Sequence, residues 1–198
     1  MAGFLRRVYW DLSRHTGRYH YFAYLIRDLP GFVGRHMRRK WYSHRFETCG
    51  VNLRIHPGVV ILNPERVRCG NDVHIGVGSY IQAGGSIEIG SDVLLGPYVK
   101  IWSQNHVFKD PDRPVREQGY VHTPVRIGDD VWVGADAFLM PGASLGAKCV
   151  VSAASVVGAK DYPAGSILAG NPARKIGDRI PRGVLNDDSE LNATHRGG

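Results

Sequence analysis

Ile127-Gly128, Val133-Gly134, Leu139-Met140, Leu145-Gly146, Val151-Ser152 and Val157-Gly158 bring back an aliphatic residue at every sixth position, six times in succession. Four positions after each stand Val131, Ala137, Ala143, Cys149, Ser155 and Asp161, compact until the last. A period of six is neither the 3.6 of a helix nor the 2 of an alternating strand. It is the signature of a hexapeptide solenoid, in which each unit makes one short strand and one tight corner. The aliphatic residue points into a narrow interior and the compact one fills the corner. Three units make a coil, and coils stack at the ordinary strand spacing of roughly 4.8 Å. The same phase runs upstream through Ile89, Leu95 and Ile101, with Val93, Val99 and Asn105 at the fourth offset. Ile75, Ile81 and Ile87 form a block shifted by two, which Ile55, Ile61 and Val67 continue more faintly. About fourteen units predict a mainly β fold of four to five stacked coils, each stabilised by its neighbours.

The repeat stops at Ile101 and resumes at Ile127. Residues 102–126 carry two histidines, His106 and His122, together with Trp102, Phe108 and Tyr120. An insertion of this length in a compact domain is either functional or disordered.

Residues 50–176 resemble the hexapeptide-repeat acyltransferases, in the branch of the maltose, galactoside and polysaccharide O-acetyltransferases. The resemblance rests on Asn105-His106 at the loop base and on Pro124-Val125-Arg126-Ile127-Gly128-Asp129-Asp130-Val131-Trp132-Val133-Gly134. Met140-Pro141-Gly142-Ala143 and the closing Ala169-Gly170-Asn171-Pro172-Ala173-Arg174 follow in order. It implies a left-handed parallel β-helix over residues 49–177 and an acetyl-CoA-dependent O-acetyltransferase acting on a sugar hydroxyl. The acceptor implied is a surface polysaccharide or its lipid-linked precursor. It makes His106 the general base, with Asn105 beside it; an imidazole of ordinary pKa near ~6.5 accepts a proton at neutral pH. It gives the Ala135 N–H to the tetrahedral oxyanion and places Ala153, Lys160, Arg174 and Trp132 along the coenzyme. It implies a homotrimer with sites between prisms, acetyl-CoA and a saccharide as partners, and no metal.

Four further functions are compatible with a solenoid of this kind. Within the same chemistry these are an amino-sugar N-acetyltransferase and a xenobiotic O-acetyltransferase. A zinc carbonic anhydrase on this solenoid needs three converging histidines, to be drawn from His56, His74, His106 and His122. A non-catalytic scaffold has no use for Asn105-His106.

The charge is unevenly placed. The chain has 198 residues and a net charge of +7, and all of that excess lies in residues 1–48; residues 49–198 are neutral. This argues against a basic fold built for nucleic acid. Phe4, Val8, Leu12, His15, Tyr19, Phe22 and Ile26 recur at helical steps before Pro30-Gly31, so residues 1–48 are expected to be a helical extension. Basic, aromatic and amphipathic together suggest that residues 1–28 touch an anionic membrane surface, peripheral to the cytoplasmic face. The alternative is a packed helical cap on the solenoid. The membrane reading carries the further expectation that the solenoid folds without residues 1–28. The longest apolar run near the start, Tyr21 to Ile26, is too short for a spanning helix or a signal-peptide core. Cys49, Cys69 and Cys149 lie far apart with no CxxC, which fits a reducing compartment and buried structural thiols. Residues 178–198 read as a polar tail, disordered from Gly183 onward.

Overall fold

The computed structural model describes residues 2–179; the polar tail beyond falls outside the described residues. The solenoid is a three-faced prism of parallel strands. Face one stacks Thr48–Cys49, Val67–Cys69, Ile87–Ile89, Val125–Ile127, Ser144–Leu145 and Asp161–Tyr162. Face two stacks Arg54–Ile55, His74–Ile75, Leu94–Leu95, Trp132–Val133, Val150–Val151 and Ser166–Gly170. Antiparallel Ala173–Asp178 closes this face. Face three stacks Val60–Leu62, Tyr80–Gln82, Lys100–Trp102, Phe138–Leu139 and Val156–Val157.

That makes about six coils rather than the four to five expected from counting units, because irregular units at both ends also close coils. The coil at the bottom begins at Thr48, before any clear hexad. The coil at the top uses Tyr162 as its inward residue instead of Asp161, which is exposed. The corner 158–160 is one residue short, so the aromatic moves into the aliphatic position.

The interior follows the hexads. Ile55, Ile75, Ile81, Ile101, Val133, Leu139 and Val157 are buried. So are the fourth-offset residues Val93, Val99, Val131, Ala137, Ala143, Cys149 and Ser155. The block shifted by two has a simple origin. On face one the lower strands turn both ends inward, Val67 with Cys69, Ile87 with Ile89 and Val125 with Ile127. The preceding corner is correspondingly longer. Crowding explains the glycine after the aliphatic residue: a Cβ on Gly128 would lie 2.6 Å from the Ala147 nitrogen of the next coil.

The N-terminal segment forms three helices: α1 (Ala2–Ser13), α2 (His15–Arg27) and α3 (Gly31–Ser43). The expected single stripe therefore breaks at Arg14, and its halves differ. Phe4 and Leu12 of α1 are exposed, whereas Ile26 of α2 is buried and the Tyr19 hydroxyl donates to the Ile61 carbonyl at 2.6 Å. α3 buries Gly34, Arg38 and Tyr42, one residue per turn, against the bottom coil. A Cβ on Gly34 would meet the Leu29 carbonyl oxygen at 1.8 Å, so only glycine lets α3 leave the turn this closely.

Arg38 is 1% exposed and ties the extension to the prism. Its guanidinium donates to the Ile55 carbonyl in the solenoid and to the Ile26, Arg27 and Leu29 carbonyls at the end of α2. A cut at residue 28 would remove the α2 partners and the Tyr19 and Ile26 contacts. The expectation that residues 1–28 are separable is thus at odds with the packing. The divisible point lies at Arg14, between α1 and α2.

Candidate active site

All long insertions leave the prism at one edge, where face three turns into face one. In the bottom coil this edge is Asn63 followed by the 3-10 turn Pro64–Arg66. In the second coil it is residues 83–86, and in the third it is the long insertion. The insertion is folded. Gln104–His106 pairs antiparallel with Tyr120–His122, setting Gln104 opposite His122 and His106 opposite Tyr120. At its tip the Gln118 amide donates to the Asp110 and Arg113 carbonyls and its oxygen accepts the Asp110 N–H. The Arg113 guanidinium donates to the Glu117 carbonyl at 2.7 Å. The tip is thus held by its own polar groups, as in a compact Ω-type loop.

The hairpin base is set by Ser103, which is fully buried. Its Oγ donates to the Gln82 carbonyl and accepts the Gly85 N–H, while its carbonyl accepts the Thr123 N–H. The hexad phase falls on Asn105 at its fourth offset; the structure puts Ser103 inside and Asn105 in the exposed hairpin. Ser103→Ala would leave the Gly85 N–H without its acceptor. The expected cost is about 1–3 kcal/mol in denaturant unfolding, with the hairpin losing amide-exchange protection before the coils do.

His106 is exposed, and its ring lies 4.4 Å from that of Tyr120, centroid to centroid. The Asn105 side-chain oxygen accepts the His106 backbone N–H at 2.9 Å. In the sequence Tyr120 stands only as one of the insertion's aromatics, with no role of its own. Its partnership depends on hairpin register, which no local pattern reveals.

The other expected residues lie elsewhere on the prism. Ala135 and Ala153 stack in successive coils at the edge between faces two and three. The Ala135 carbonyl accepts the Ala154 N–H, and among the described residues no backbone carbonyl takes the Ala135 N–H. Trp132 points outward on face two between Leu94 and Val150 and is 52% exposed. Arg174 is exposed opposite Ala169 at the top of the same face. Lys160 sits at the hairpin edge, two coils above, with its ammonium 4.8 Å from the Tyr162 ring centroid. One chain therefore brings Ala135 and Ala153 together but holds His106 a full face away from them.

The four histidines considered as zinc ligands fall into two pairs. His56 and His74 stack 4.5 Å apart on face two, and their ring nitrogens are hydrogen-bonded. Burial pushes both below the ordinary imidazole value; neighbouring arginines add to this at His56, and the partner ring does so at His74. His106 and His122 belong to the hairpin, and among the described residues no three potential ligands converge.

Comparison with known proteins agrees with this architecture. A family profile described as a hexapeptide repeat of succinyl-transferase matches residues 124–159. Nodulation protein L of Rhizobium meliloti is 35% identical over 146 residues, 70% of this chain and 75% of that protein. The chain belongs to the hexapeptide-repeat acetyltransferase family. A solved galactoside acetyltransferase in complex with coenzyme A superposes on this family member with a TM-score of 0.74 at 26% identity, covering 83% of this chain and 80% of that one. A probable acetyltransferase of Mycobacterium tuberculosis is 36% identical over 115 residues, 57% of this chain. The match spans only 37% of that relative's length.

Proposed function

We propose that the protein transfers an acetyl group from acetyl-CoA to a sugar hydroxyl, with His106 as general base. The observation that carries this reading is the exposed histidine on a hairpin pinned at its base by buried Ser103, in a hexapeptide solenoid whose solved relative binds coenzyme A. His106 takes the proton from the acceptor hydroxyl as its oxygen attacks the thioester carbonyl. The Ala135 N–H donates to the oxyanion, and collapse expels the coenzyme thiolate, which then takes up the proton. No acyl-enzyme is required. Asn105 fixes the backbone at His106, while Ala153 and Trp132 line the coenzyme and Lys160 and Arg174 meet its phosphates.

These groups come from two prism edges, so the site is completed by a neighbouring prism. Its hairpin reaches the edge carrying Ala135 and Ala153. The assembly proposed is a closed homotrimer, in which the rotation between neighbouring prisms closes such head-to-side contacts into a ring. Purified protein should run as a trimer in light scattering; an active monomer would refute this. The acceptor is a surface polysaccharide or its lipid-linked precursor, modified on the cytoplasmic side where acetyl-CoA is available. A screen of coenzyme A thiol release against free sugars and lipid-linked saccharides tests the substrate class. Stimulation by no saccharide overturns it.

Among the described residues no helix is long and apolar enough to cross a membrane. We infer peripheral contact instead, through α1. Its Phe4, Leu5, Tyr9 and Trp10 are exposed beside Arg6, Arg7 and Arg14, and basic residues near an anionic leaflet gain about 1 kcal/mol each. Deleting residues 2–14 should markedly weaken salt-sensitive binding to anionic liposomes and leave the fold intact. Unchanged liposome binding by the deletion would refute the role of α1.

A further inference from the structure

Two adjoining clefts, of about 750 and 570 Å³, lie against α2, α3 and the start of the prism, and they share His44 and Arg45. Their sizes fall in the range of small-molecule sites. Between them the Arg45 guanidinium carbon lies over the Trp41 indole, 3.1 Å from the ring centroid, and the Phe22 ring packs at a tilt with its centroid 4.1 Å from that of Trp41. Among the described residues, two buried side-chain polar atoms lack a hydrogen-bond partner: Trp41 Nε1 and Arg45 Nε. Both are donors, and both belong to residues lining the second cleft. Buried donors left unpaired are costly, so a site that keeps two together calls for an acceptor from outside the chain.

The surroundings say what kind. The rim carries His20, His36, Lys40 and His44, against a single acid, Glu65. The walls also include Phe22, Leu62 and Pro64. The whole +7 excess of the chain lies in the segment that builds this region. Beside it, Tyr21, Tyr24 and Leu25 of α2 are exposed. An anion alone would not need the apolar walls, and an apolar ligand alone would leave both donors unpaired.

We propose that the paired clefts bind the phosphate of an anionic amphiphile. The phosphate bonds to Arg45 and the Trp41 N–H, and the apolar tail runs past Phe22 toward the exposed face of α2. The first cleft is walled by the bottom-coil corner of the same edge that carries the His106 hairpin. The Arg66 guanidinium of that corner donates to the Gly84 carbonyl one coil higher, and Gly84 lies against the Gln104 side chain at the hairpin base. The corner and the hairpin base are two coils apart, roughly 10 Å. A saccharide carried on such a phosphate would extend toward His106. That last step rests on the acetyl-transfer reading; the binding itself does not.

The test reads binding without turnover. Full-length protein is titrated calorimetrically with dihexanoyl phosphatidic acid below its micellar concentration, with inorganic phosphate, and with dihexanoylglycerol. The expected result is saturable binding of the phosphatidic acid, at least tenfold tighter than either of the others. Arg45→Met keeps the stem over Trp41 and should weaken it at least tenfold. Lys40→Glu, on the exposed rim, should weaken it severalfold and decides the matter should Arg45→Met fail to fold. Equal affinity for inorganic phosphate would reduce the site to a bare anion pocket, and equal affinity for dihexanoylglycerol to a bare apolar groove. Either overturns the proposal, as does no binding or binding undiminished in the variants.

Discussion

Replacing His106 with Ala should lower kcat by about 10² or more and leave coenzyme affinity nearly unchanged. General-base catalysis contributes on the order of 10²–10⁴ in rate, and the proton leaves the acceptor only in the transition state, so the loss falls on kcat. The side chain is exposed on the hairpin, and the bond from the His106 backbone N–H to the Asn105 side-chain oxygen survives truncation to Ala. Stability should therefore hold, and the kinetic loss would report chemistry. His122→Ala should be far milder, because His122 lies opposite Gln104 at the hairpin's other end. A His106→Ala enzyme that keeps most of its rate would remove the base from this account.

Arg38→Ala is expected to be the most destabilising single exchange in the extension, at about 3–5 kcal/mol. Four carbonyls depend on one guanidinium that is 1% exposed: Ile55 at 3.0 Å, Ile26 at 2.9 Å, Arg27 at 3.2 Å and Leu29 at 2.8 Å. Removing it leaves several of them desolvated and empties the space between α3 and the bottom coil. Arg38→Lys should recover less than half of the loss, since an ammonium cannot fork across carbonyls on two segments. Urea unfolding monitored by circular dichroism reads both variants. A cost below about 1 kcal/mol for Arg38→Ala would mean that the extension does not depend on this pin.

The solenoid was legible because its signal repeats. Ile127, Val133, Leu139, Leu145, Val151 and Val157 each report the same local geometry, so an error at one position is outvoted by the others. Where the chain leaves the repeat, each residue has to be read singly, and there reasoning from sequence failed. The hexad phase carried past Ile101 falls on Asn105 at the fourth offset, whereas the buried residue there is Ser103, which the repeat does not mark. Arg38 adds to the basic excess of residues 1–48, although its spacing of four from Gly34 and from Tyr42 marks a buried stripe once the helix is known. A charged residue in a core stripe is normally discounted, and only the carbonyls of two other segments justify it. The break at Arg14 was hidden because the apolar stripe runs straight through it. The separation of His106 from Ala135 depends on which prism edge each corner occupies. That follows from counting coils through irregular units, which the hexad count missed at both ends.

The central claim is that chemistry occurs between prisms, with the His106 hairpin of one chain completing the Ala135–Ala153 edge of another. Co-expression of two inactive variants, His106→Ala and Ala153→Glu, tests it directly through coenzyme A thiol release. The first keeps an intact coenzyme edge and the second an intact hairpin. Random mixing into closed rings should pair the two intact halves at about a quarter of the sites and restore about that fraction of wild-type turnover. Mixed assemblies no more active than either variant alone would place the whole site within one chain and contradict the account.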